Sequence, residues 1–210
     1  MSKKSGNTNS TNAGGAYEKF GEFDSWEEIN RAAATQKAEG DFEAVKAIAE
    51  ENGIDEMDVQ DYLDGMMPEL CTPLTAANGK LDVEAAGLNL PMMMQMWVDH
   101  IRGMFASDSG ELVLGIRRKG KNIVDLFAQL IVECSHTRKD TPAKIVNAAR
   151  KLDSSIPATL PTADISKKRF EEIVRNYYID PMPAKTEKEP EVAPVQQEEA
   201  PEETEGGDDE

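Results

Sequence analysis

The residues of this chain best suited to chemistry are two histidines, His100 and His136, and two cysteines, Cys71 and Cys134. One pair comes close in sequence, Cys134-Ser135-His136. A zinc site needs four ligands in paired spacings, and no second pair lies nearby. Neither histidine sits in a Ser/His/Asp or Cys/His arrangement of familiar spacing. Gly120-Lys121 lacks the upstream glycine and the following Ser or Thr of a phosphate loop. Asp58, Asp61 and Asp64 precede Gly65, but a calcium loop takes its ligands from alternate positions and closes with a bidentate glutamate. These patterns predict a non-enzyme that carries no metal and no cofactor. The two cysteines, each in an apolar context, are expected as buried free thiols in a reducing cytoplasm.

Charge is the stronger signal. The chain carries a formal net charge of -17, distributed unevenly. Ala16 to Leu70 holds sixteen acids against four bases, whereas Ile101 to Arg150 holds five acids against nine bases. Glu50, Glu51, Asp55, Glu56, Asp58, Asp61 and Asp64 gather around one turn between helical segments. Arg117, Arg118, Lys119 and Lys121 form the densest basic cluster, at the mouth of the most apolar segment. The two groups are the candidate partner-binding residues, one resembling the charge of a nucleic-acid backbone and the other suited to phosphate or acidic groups.

The elements that must position them read as helices throughout, so an all-α multi-helix fold is expected. Ser25 caps a helix carrying Trp26, Ile29, Ala33 and Ala34; Asp41 caps a second with Phe42, Val45, Ile48 and Ala49 inward; Asp55 caps a third. The second and third, joined by Asn52-Gly53, invite a helix-turn-helix reading. Their acidity excludes it, because phosphate would repel a recognition helix that negative. Pro68 or Pro73 opens the next helix, in which Gly79 weakens the middle. Met92, Met93, Met94 and Met96 head a helix; they could line an adaptable binding groove, and core filling is the reading taken. Gly120 and Asn122 bracket the start of the central helix, with Ile123, Leu126, Phe127, Leu130 and Ile131 as its apolar face. Thr141-Pro142 is read as the N-cap and first residue of a further helix, and a last helix presents Phe170, Ile173, Val174 and Tyr177. The predicted core comprises Trp26, Phe42, Ile48, Leu63, Trp97, Ile101, Leu126, Phe127, Leu130, Ile173 and Tyr177. Residues 1–22 are expected as a disordered arm, 23–90 as an acidic helical module, 91–180 as a second module packed on it, and 181–210 as a disordered Pro/Glu tail. With no apolar run long enough to span a bilayer and no secretory signal, a cytoplasmic protein is expected.

Three stretches carry a resemblance: Ile101 to Phe105, Lys119-Gly120-Lys121-Asn122-Ile123, and Val174-Arg175-Asn176-Tyr177-Tyr178. Together they resemble the PcfK-like family of conjugative elements in gut bacteria, which looks related to inhibitors of the type II CRISPR effector nuclease. Thr141 to Pro161 is an insertion relative to that family. Trp26 to Ala86 is similar to acidic helical modules of phage and mobile-element proteins of Firmicutes, some of which look like anti-CRISPRs. The resemblance implies an inhibitor acting in the bacterial host cytoplasm, whose partner is the type II nuclease with its guide RNA, with Arg117 to Lys121 able to touch nucleic acid. The alternative is a non-inhibitory mobile-element adaptor whose basic corner contacts DNA or a conjugation protein.

Overall fold

A computed structural model describes residues 17–180, and both the outer part of the expected arm and the expected tail lie outside the described residues. Helix starts follow the sequence closely. Ser25 Oγ accepts from Glu28 N–H to open α1 (Trp26–Glu39), Asp41 Oδ1 accepts from Ala44 N–H for α2 (Phe42–Glu51), and Asp55 Oδ1 accepts from Met57 N–H for α3 (Glu56–Leu63). Each cap satisfies one of the donors that a helix leaves open at its first turn. Thr72 caps α4 (Pro73–Ala86), which settles the choice between Pro68 and Pro73. There follow α5 (Met92–Met104), α6 (Glu111–Arg117), α7 (Ile123–His136), α8 (Ala143–Leu152) and α9 (Lys167–Ile179).

The fold is all-α apart from one short feature. Strand β1 (Lys139–Asp140) pairs antiparallel with β2 (Pro161–Thr162) and pinches off the excursion that contains α8. The periodicity gave no hint of these strands. Thr141 is likewise not the cap of α8: its N–H bonds Leu160 O at 2.8 Å, continuing the strand pairing, and the helix begins one residue later than expected. Of the apolar residues of α8, Val146 is buried while Ile145 and Leu152 lie exposed.

Two apolar clusters form the core. One joins Ile29 and Ala33 of α1, Val45, Ile48 and Ala49 of α2, and Val59 and Tyr62 of α3, together with Leu70, Cys71 and Ala76. The other joins Val98, Ile101 and Met104 of α5, Leu112, Val113 and Ile116 of α6, Ile123, Leu126, Phe127 and Leu130 of α7, and Phe170, Ile173, Val174 and Tyr178 of α9. Helix α4 belongs to both, giving Ala76 to the first and Ala77 and Leu81 to the second. The expected boundary at residue 90 therefore falls beyond the shared wall, which is α4 itself.

Within the expected core, Phe42 is the main correction: it is 50 % exposed, because it occupies the first turn of α2 beside the polar end of α1. Trp26, Leu63, Trp97 and Tyr177 pack against the clusters while half-buried, and Tyr178 takes the fully buried place. Ile131 is exposed because its position on α7 lies about a quarter-turn off the face set by Ile123, Leu126, Phe127 and Leu130. Three of the four methionines expected as core filling, Met92, Met93 and Met96, are exposed, and Met94 alone packs inward.

Gly79 has a reason that propensity does not supply. The Asn52-Gly53 turn lies directly on it, and a Cβ at residue 79 would sit 2.1 Å from Asn52 O. At Gly53, whose φ is +65°, a Cβ would sit 2.4 Å from Gly79 O. The two halves thus meet backbone against backbone. Gly79→Ala should lower the thermal midpoint, although Ala is better in a helix by about 1 kcal/mol; a midpoint at or above the parent's would show that the turn can move away. Phe127, whose ring meets Trp97 edge to face at 5.4 Å, lies at the centre of the second cluster. Phe127→Ala should cost roughly 3–5 kcal/mol in denaturant unfolding, and an unchanged midpoint would refute its placement.

Candidate functional site

The basic cluster occupies the turn between α6 and α7, and its four side chains meet very different surroundings. Arg117 is 1 % exposed. Its Nη2 donates to Asn52 Oδ1 at 2.7 Å and to Phe23 O at 3.3 Å, linking the α6 end to both the α2–α3 turn and the N-terminal segment. Lys121 is also buried; its Nζ donates to Tyr177 O at 2.6 Å and Asp180 O at 3.2 Å, closing the open end of α9. As partner-binding residues these two are withdrawn by the fold. Arg118 and Lys119 are exposed, with Arg118 Nη1 donating to Ile179 O at 3.2 Å. Half of the predicted basic surface is therefore internal scaffolding.

Beneath this turn lies a set of charges that the sequence reading passed over. Lys80, fully buried on α4, places Nζ 2.5 Å from Glu22 Oε1, 2.9 Å from Arg118 O and 3.7 Å from Glu84 Oε1. Glu84 Oε2 accepts from Ile123 N–H at 2.9 Å, at the start of α7. Burial pushes Lys80 below its ordinary value, with Glu84 and Glu22 opposing. Burial pushes Glu84 up to about 7, with Lys80 and the Ile123 amide opposing. A Lys and a Glu at i and i+4 in an otherwise small-residue helix were the available signal. Asn52, read as a helix stop, is a buried bridge: its Nδ2 donates to Ile48 O at 2.7 Å while its Oδ1 receives Arg117.

Residues 17–22, expected within the disordered arm, are bound down. Glu51 carboxylate oxygens accept from Lys19 N–H at 2.5 Å and Phe20 N–H at 3.1 Å. Glu22 Oε2 accepts from Gly120 N–H at 3.1 Å, and Asp24 Oδ1 accepts from Lys119 N–H at 2.8 Å. Three carboxylates thus make the arm's inner end part of the fold.

The acidic group keeps more of its predicted openness. Glu50, Asp55, Glu56 and Asp64 are exposed, and Glu51, Asp58 and Asp61 are half-buried. Glu51 is engaged with the arm, Asp55 caps α3, and Asp64 accepts from Gln60 Nε2 at 2.9 Å. Glu50, Glu56, Asp58 and Asp61 make no ion pair among the described residues and are the free acids of this group. Glu50, Glu51, Asp55, Glu56 and Asp58 lie at the α2–α3 turn, whereas Asp61 and Asp64 lie at the far end of α3; the turn touches the basic one through Asn52 and Arg117.

Elsewhere several side chains have partners within the fold, and Cys134, expected to be buried, is half-buried near the end of α7. His100 Nε2 lies 3.3 Å from Glu171 Oε1, and burial pushes the Cys71 thiol up to about 12, which keeps it protonated. The Cys71 backbone is gripped by Asn30, which donates to its carbonyl at 2.9 Å and accepts from its N–H at 3.0 Å. An open groove of about 460 Å³ between α4 and α5 contains Asp82, Asp99 and Arg102, but Arg102 is ion-paired to both acids. Among the described residues, no three His, Cys, Asp or Glu side chains gather as a metal site would require, and no helix is long and apolar enough to cross a membrane.

No family model, curated protein or solved structure matches the chain.

The Glu84 environment gives a pH test. Its folded-state value near 7 lies above the ordinary 4.5, so the folded state holds the proton more tightly. The contribution is fully present below about 4.5 and is lost as pH rises through 7, a swing on the order of 3 kcal/mol. Relative to the parent, Glu84→Gln should therefore gain stability between pH 5 and pH 8 in paired denaturant titrations. A difference that stays flat across that range would remove Glu84 from the titration.

Proposed function

We propose that this protein inhibits a type II CRISPR RNA-guided DNA endonuclease, binding the nuclease–guide complex through its charged helical surfaces and blocking target DNA binding or cleavage. The observation that carries the reading is the free acidic face along the α2–α3 turn and α3, where Glu50, Glu56, Asp58 and Asp61 stand without an ion pair among the described residues. Such nucleases hold nucleic acid in basic channels and read the PAM with arginines. Carboxylates spaced along a rigid turn meet such a channel as phosphates do, with an affinity that falls as salt rises. The sequence resemblance supplies the target, and the burial pattern narrows the contact. Arg118 and Lys119 remain for guide RNA or an acidic patch on the same partner, whereas Arg117 and Lys121 support the fold.

The test is DNA cleavage by a purified type II nuclease–guide complex with and without the protein. Inhibition is expected, and its absence over a panel of such nucleases would sink the reading. Glu50, Glu56, Asp58 and Asp61 are the residues to reverse, because Glu51, Asp55 and Asp64 hold structure. Changing all four to Lys should raise the concentration needed for inhibition by about tenfold or more and flatten its salt dependence, with helical circular dichroism unchanged. Full inhibition by that folded variant would eliminate the acidic face as the contact.

A further inference from the structure

The segment Tyr17–Asp24 lies across the α6–α7 turn like a strap, and what it covers is a convergence of donors. Lys119 N–H and Gly120 N–H, consecutive amides of the turn, point to Asp24 Oδ1 and Glu22 Oε2. Gly120 has a φ of +78°, and consecutive amides leading into such a left-handed residue form an anion-holding concavity. Lys80 Nζ reaches the same Glu22 carboxylate from below, at 2.5 Å. Arg117 comes from the same side, its Nη2 on Phe23 O between the two acids. The strap does not satisfy everything under it. Arg117 Nε and Nη1 form no well-aligned hydrogen bond among the described residues, and what faces the guanidinium there is Tyr17, whose ring centre lies 5.8 Å away and whose buried hydroxyl offers at most a poorly aligned acceptor.

We infer that this turn is an anion site closed by the chain's own carboxylates, and that a phosphate group with three free oxygens can take their place by displacing the strap. The exchange conserves charge: the strap withdraws the two carboxylates of Glu22 and Asp24, a phosphate monoester brings about -1.5 to -2 near neutral pH, and Glu84 stays beside Lys80 in both states. Leaving the pit empty is costly, because buried cations would lose their counter-charges. The strap can therefore be exchanged for another anion far more readily than simply peeled away. A terminal phosphate fits better than a backbone diester, since its three free oxygens can address two amides, an ammonium and the spare guanidinium N–H groups together. Glu84, on α4 one turn from Lys80, is engaged by Ile123 N–H, so it stays with the scaffold when the strap leaves. This inference does not rest on the nuclease reading.

The test uses the full chain, titrated with sodium tripolyphosphate and separately with adenosine monophosphate, each balanced by sodium chloride to constant ionic strength. Amide hydrogen exchange should quicken at Lys19, Phe20 and Asp24, whose N–H groups belong to the strap, while Lys119 and Gly120 stay protected by the incoming phosphate. Glu22→Gln combined with Asp24→Asn should bind the same probes about tenfold more tightly, since the internal competitor is weakened. Adding Lys80→Gln to that pair should abolish the gain. An effect of adenosine monophosphate assigns a nucleotide's phosphate, and an effect of tripolyphosphate alone assigns a free oligophosphate. No change at the strap amides with either probe overturns the inference, as does exposure of Lys119 and Gly120 together with the strap. Where the double variant fails to fold, the exchange measurement on the parent decides.

Discussion

A guanidinium removed from water must be given acceptors, and the placement of Arg117 organises much of this fold. Its acceptors come from Asn52, at the end of α2, and from Phe23, in the segment before α1. Neither partner belongs to the apolar cluster that holds α6. The bond therefore has to be made between the two clusters, which locks their relative placement in a way that apolar contact alone would not. Truncating one member of such a set leaves the others buried and unpaired, a penalty of several kcal/mol. That asymmetry explains why Asn52 sits over Gly79: the amide must reach the guanidinium, and a bare backbone on α4 lets it come close enough.

Lys80 extends the same logic one layer down. It accounts for the carbonyl of Arg118 and for Glu22, and its neighbour Glu84 takes the first free amide of α7. A carboxylate on another helix thus does part of the work usually left to a local cap, while Asn122 does the rest through Asp125 N–H. On the other side, Lys121 and Arg118 cover the last carbonyls of α9. One six-residue turn consequently ties α2, α4, α7, α9 and the N-terminal segment together. Gly115 serves the same end, since a Cβ there would sit 2.5 Å from Tyr178 O.

Much of the fold was legible in the sequence because it rests on local rules. Ser25, Asp41, Asp55 and Asn122 accept from the backbone amides that open their helices, and the helical spacing of Leu126, Phe127 and Leu130 identified the central face. The errors fall where a residue's role depends on something distant. Phe42 has the right type and spacing but sits past the packed part of its helix. Thr141-Pro142 looks like a helix start, yet strand pairing with residues 160–162 claims the backbone there. Arg117 and Lys121 read as surface because lysine and arginine are rarely buried, and nothing near them in sequence supplies their acceptors. Asn52, Glu22 and Lys80 went unrecognised for the same reason, since each finds its partner across the fold.

Burial also changes how the charge distribution is to be understood. The excess of bases between Ile101 and Arg150 suggested a basic surface opposite an acidic one. Arg117 and Lys121, two of those nine bases, are interior and spend their charge on carbonyls and an amide oxygen. Arg138, Lys139, Lys144 and Arg150 belong to the α8 excursion and its neck, away from the α6–α7 turn. Lys80, from outside that stretch, is interior as well. The acids largely follow the opposite rule: among the described residues Glu84 and the side chain of Asp108 are buried, Asp108 on the Gly110 and Leu112 amides at the start of α6, and those of the α2–α3 turn face water or cap a backbone. Buried cations can be satisfied by neutral carbonyls that every helix end offers, whereas buried carboxylates need donors that helix ends provide only at their first turn. A strongly acidic chain built from helices can therefore store bases inside and keep its acids outside. The outside face becomes more negative than the composition alone implies.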